Sequence, residues 1–122
     1  MRVVIALVLA AGCSDPTGGS VEGRALYGKL CAQCHGATGK PTAAMVQSVG
    51  VRDLSDPSVR AKLTEARVAD QIRKGSANKL MPAFTGLVTE PQIEALAAFV
   101  LSPAFLAQEA PPPVPAPVPT PK

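Results

Sequence analysis

Apolar positions recur along this chain at helical spacing. Leu26 and Leu30 are four apart, as are Val59 and Leu63, and Val68 and Ile72. Ile93, Leu96 and Val100 fall at i, i+3 and i+7, and Phe99 widens that face. Gly23 and Tyr27 share a neighbouring face of the first segment. A helical glycine costs about 1 kcal/mol against alanine, which points to close approach by another element. No alternation of period two appears, so the expected fold is all-α, a few short helices joined by loops.

Punctuation residues bound these segments. Ser20 is the expected N-cap of a helix from Val21 to Cys34, with Glu22 in its first turn. Gly36, Gly39 and Pro41 mark a loop. The stretch from Thr42 to Asp53 carries no clear pattern and reads mostly as loop. Asp56-Pro57 reads as an N-cap with proline at the first helical position. Thr64 caps the next helix, Arg73 and Lys74 complement its last turn, and Gly75 stops it. Residues 76–88 read as irregular. Thr89 and Gln92 form a capping box, Pro91 sits in the tolerated first turn, and that helix ends near Ser102-Pro103.

The two ends differ from the middle. Behind Met1-Arg2, Val3 to Ala11 is an unbroken apolar run. It is too short to span a bilayer as a helix and has the length of a signal-peptide core. Leu9-Ala10-Ala11-Gly12-Cys13 resembles the lipobox of bacterial lipoproteins, which implies cleavage before Cys13 and lipid on it; the lipobox leucine is shifted one place, to Leu9. The alternative is an ordinary secretory signal that leaves Cys13 a free thiol. From Ala110 the chain is proline-rich, an extended spacer with a proline-binding partner as a secondary possibility. The expected organisation is therefore a signal peptide over 1–12, a tether over 13–20, one domain over 21–103 and a tail over 104–122.

Composition changes the picture in one respect. Hydrophobic residues make up 47% of the 122, yet aromatics are only 3% and tryptophan is absent. A domain of roughly 80 residues is marginal on side chains alone and usually carries a staple. The net charge of +3 is modest and its basic residues are scattered, which argues against nucleic-acid binding.

The staple has a candidate. Cys31-Ala32-Gln33-Cys34-His35 has the C-x-x-C-H spacing of c-type haem attachment. Two thiols about one helical turn apart can form thioethers along one haem edge, and the adjacent His35 can supply the proximal imidazole. One haem c, held through Cys31 and Cys34, is the expected cofactor. The chain has three cysteines and one histidine, so a four-ligand zinc site would need carboxylates or a second chain. A disulfide or a thioredoxin-like pair shares the spacing, but the latter is expected beside a βαβ pattern, and none is found.

An iron held by His35 has a second axial place. Met81 is the candidate: thioether is a soft ligand, a loop can aim it, and Pro82 stiffens the chain behind it. Met45 and an open site are the alternatives.

Together these residues resemble a small class I cytochrome c of bacterial type, over about 21–103. The resemblance is carried by Gly23 and Tyr27 ahead of the C-x-x-C-H, by Gly36, by Leu80-Met81-Pro82, and by Leu96 and Phe99. It implies thioethers at Cys31 and Cys34, axial ligation by His35 and Met81, and first and last helices that cross with Gly23 and Tyr27 against Leu96 and Phe99. That family often orients its histidine with a proline carbonyl, for which Pro41 is the nearby residue. The expected function is one-electron transfer by a carrier that is not itself an enzyme. It would be exported to the periplasmic side, lipid-anchored to a membrane through Cys13, and would meet redox donors and acceptors transiently, with no small-molecule substrate. A haem subunit of a larger membrane complex, or a haem enzyme or gas sensor with a labile distal ligand, are the rivals.

Overall fold

The computed structural model describes residues 19–108, so the leader, Cys13 and the tail beyond Gln108 lie outside the described residues. Within them are seven helices: α1 Gly23–Leu30, α2 Ala32–His35, α3 Ala43–Val49, α4 Pro57–Arg60, α5 Glu65–Lys74, α6 Glu90–Leu101 and α7 Pro103–Leu106. No strand occurs among the described residues beyond an isolated bridge between Thr85 and Val88. The all-α expectation holds.

Helix α6 is the spine, with α1 and α5 packed on it. Its start follows the sequence: the Gln92 amide donates to the Thr89 hydroxyl, and the Gln92 side chain accepts from the Thr89 N–H at 2.9 Å. The buried Gln92 also donates to the Ser20 carbonyl at 2.7 Å, tying the incoming chain to this helix.

Gly23 sits where α1 crosses α6. A Cβ there would collide with the Ala95 carbonyl and the Phe99 Cβ, so only glycine lets the two backbones meet. Tyr27 lies next to this crossing, with ring centroids 6.1 Å from Phe99 and 5.0 Å from Phe105, and Phe99 to Phe105 is 5.6 Å. Two of these pairs are edge-on, the geometry aromatic quadrupoles favour. Three of the four aromatics thus form one cluster, and Phe105, placed by the short α7, is wholly buried in it while Leu106 stays half exposed.

Arg60 fastens the other end of the spine. Its guanidinium donates to the carbonyls of Leu54 at 3.1 Å, Val100 at 3.0 Å and Leu101 at 3.4 Å, and lies over the Phe105 ring. It thereby satisfies carbonyls that the end of α6 leaves without helical partners.

Three local expectations need correction. The first helix is not continuous from Val21 to Cys34. It starts at Gly23, because the Glu22 carboxylate accepts from the Arg24 and Ala25 amides and is the N-cap, while Ser20 accepts from the Glu22 N–H. It breaks at Cys31 before α2 begins. The stretch after Thr42 is not loop but α3, capped by the Thr42 hydroxyl and ended by left-handed Gly50. That helix has no buried residue, so it carried no apolar stripe to read. The segment after Pro57 is helical only to Arg60, with Leu63 reached through turns.

Candidate functional site

The break at Cys31 shapes the site. Its N–H still bonds the Tyr27 carbonyl, while its own carbonyl accepts from Cys34 at 3.2 Å and from His35 at 2.9 Å. Cys31 and Cys34 are therefore one turn apart, with Cys34 exposed and Cys31 half-buried. Gly36 ends α2 at φ +79°, and the buried Tyr27 hydroxyl donates to its carbonyl at 2.8 Å. That bond pins the exit of the motif.

Burial pushes the Cys31 thiol up to about 12, with the neighbouring Cys34 adding to the rise. Tyr27 is raised in the same direction, by burial first and Cys31 second.

His35 faces inward, half-buried. Its Nδ1 lies 3.3 Å from the Arg52 carbonyl. A carbonyl can only accept, so the contact places the proton on Nδ1 and leaves the Nε2 lone pair free for a metal. Burial holds the imidazole pKa below its usual value, opposed in part by the Arg52 carbonyl, which favours the neutral ring that ligation requires. The sequence leaves the partner of His35 open, with Pro41 as the nearby proline. Pro41 is buried, but the carbonyl at Nδ1 is that of Arg52, seventeen residues after His35.

These residues open on one cavity of about 880 Å³. Cys31, Cys34 and His35 line it from the first helices, Leu54 and Val68 from the middle of the chain, and Leu96 and Val100 from α6. Met81 and Pro82 line it from the loop after α5. Met45 is not among the lining residues. Two thiols, one imidazole with a free Nε2 and one thioether thus share a largely apolar cavity of cofactor size. No cluster of three or more His, Cys, Asp or Glu side chains that would hold a bare metal ion occurs among the described residues. The donor set and the cavity fit haem c.

Residues 20–100 match the family described as cytochrome c oxidase, cbb3-type, subunit III. The chain belongs to this family of c-type cytochromes. A solved structure named KustC0563 c-type cytochrome is 31% identical, with a TM-score of 0.59, over 66% of this chain and 94% of that one. Among curated proteins none matches.

For a c-type cytochrome, the Cys31–His35 motif and Met81 are the parts the sequence made legible, and the fold brings them to one cavity. The Arg52 carbonyl was missed: every residue carries one, so no letter in the sequence marks it. Cys13, the remaining sequence-derived site, lies outside the described residues.

Proposed function

We propose that this cytochrome is a one-electron carrier whose haem c is bonded through Cys31 and Cys34, with His35 and Met81 as the axial ligands. The observation that carries this reading is the shared cavity, with Met81 in its lining and Met45 outside it. Haem c supplies the one-electron couple. The chain supplies the rest. His35 presents Nε2 because the Arg52 carbonyl holds the Nδ1 proton. Met81 offers a soft ligand that raises the potential, and the largely apolar walls lower the polarity around it. With His35 and Met81 both holding the haem, the chain would leave no position for a substrate, which fits a carrier rather than an enzyme.

The apolar run before Cys13 supports export and lipid attachment there, hence a periplasmic-side domain tethered to a membrane that meets redox partners transiently. Cys13→Ser would then move the holoprotein from the membrane to the soluble fraction. The family description, which names an oxidase subunit, favours a second reading as a fixed haem subunit of a larger complex. Co-purification with such a complex in mild detergent separates the two.

The deciding experiment is the optical spectrum of the matured, oxidised protein and of Met81→Ala. The weak red charge-transfer band of methionine on ferric haem is expected in the parent and lost in the variant. A parent haem spectrum without that band removes Met81 as ligand and shifts the weight to a sensor or enzyme.

A further inference from the structure

Met81 has an unbranched side chain with three rotatable bonds, which cannot aim itself. Its backbone is held from both sides by one residue. The Ser76 N–H donates to the Met81 carbonyl at 3.0 Å, and the Met81 N–H donates to the Ser76 hydroxyl at 2.9 Å. That hydroxyl donates in turn to the Asn78 side-chain oxygen at 2.6 Å, which also accepts from the Leu80 N–H at 3.2 Å. A hydroxyl can accept and donate at once, and here both capacities are used. The loop also packs directly on Gly75, where a Cβ would fall 2.5 Å from the Met81 carbonyl oxygen and 2.8 Å from the Ala83 nitrogen. A six-residue loop is thus closed on itself, with the Ser76 hydroxyl at its centre, and Met81, its last residue, lines the cavity.

We propose that Ser76 is a positioning residue for the distal ligand: its hydroxyl, oriented by Asn78, fixes the Met81 backbone and so sets how readily an outside ligand displaces the thioether. This rests on Met81 being the distal ligand. Without the hydroxyl, the Met81 N–H loses its partner and the base of the loop is left with the Ser76 N–H bond alone. The ligand-off state then gains population, and an outside ligand binds more tightly in proportion.

The test titrates the full-length, haem-loaded, oxidised protein with imidazole and follows the Soret shift. The parent binds weakly, because Met81 must leave first, and Met81→Ala marks the upper limit of affinity. Ser76→Ala is expected to bind imidazole about five- to tenfold more tightly than the parent, the loss of one hydrogen bond read as a constant. Ser76→Thr, which keeps the hydroxyl, should restore parental affinity. Should Ser76→Ala fail to mature, Asn78→Ala reads the same network with an expected gain of about threefold. Thr89→Ala controls for general loosening: it removes a helix cap outside the cavity and should lower stability without changing imidazole affinity. Parental affinity in Ser76→Ala, or in Asn78→Ala where that variant stands in for it, or an equal rise in Thr89→Ala, overturns the proposal. If Met81→Ala itself binds no more tightly than the parent, Met81 is not the ligand and both readings fall. A large gain in Met81→Ala beside unmoved Ser76→Ala sinks the role of Ser76 alone.

Discussion

Tyr27 does two jobs with one side chain. Its ring fills the crossing beside Phe99 and Phe105, and its hydroxyl reaches the Gly36 carbonyl at the end of the haem motif. Tyr27→Phe keeps the ring and leaves that carbonyl unpaired in a part-buried place. Denaturant unfolding of the holoprotein should show a loss of about 1–2 kcal/mol. An unchanged midpoint would mean that water replaces the hydroxyl. At this scale the sequence is readable where a side chain carries the chemistry. Cys31, Cys34 and His35 stand out as candidates by type and spacing, and Met81 by its loop and the proline behind it. Their backbone partners are hidden, because one is the Arg52 main-chain oxygen beside His35 and the other the Ser76 hydroxyl at the Met81 N–H, in a stretch that reads as irregular.

Among the elements, α5 and α6 are joined at the surface by a two-pronged ion pair. The Arg73 guanidinium grips the Glu90 carboxylate through Nε and Nη2, the shortest contact being 2.8 Å. The hydrogen bonds from Arg73 hold the Glu90 pKa below its usual value. A depressed carboxylate stabilises the fold above its unfolded pKa and loses that contribution as pH falls through the folded one. The parent should therefore melt above Glu90→Gln at neutral pH, and the gap should begin to narrow at the usual glutamate value and close only below the lower folded one. A gap that persists in strong acid would mean that Glu90 acts through packing, not charge. Elements were legible where a cap and an apolar stripe coincide: Asp56, Thr64 and the Thr89–Gln92 pair all cap as their sequence suggests. Helix α3 was not, because it buries no residue and its cap stands alone. The break at Cys31 was also hidden, since the apolar spacing of α1 runs up to it without interruption.

The molecule as a whole is arranged around one cavity with largely apolar walls. In a domain of roughly 80 residues such walls gain much of their burial from the group they enclose, which acts as the staple that small domains lean on. Cys31→Ser combined with Cys34→Ser, which prevents covalent attachment, should yield a chain without a cooperative thermal transition by circular dichroism. A sharp transition in that double variant would show that the walls can close on themselves. The scarcity of aromatic residues fits this dependence: one tyrosine, three phenylalanines and no tryptophan leave room for a larger apolar group.

The contact between His35 and Arg52 bears on how such a chain can drift over evolutionary time. The oxygen that steers the imidazole belongs to the main chain, and the Arg52 residue itself is exposed. Exchanging the side chain at that position leaves the oxygen in place, so substitutions there escape selection on ligand geometry. Length does not escape it: an inserted or deleted residue in the neighbouring turn would carry the oxygen away. For the contact with His35, selection acts on the spacing of the chain and not on which side chain stands at position 52.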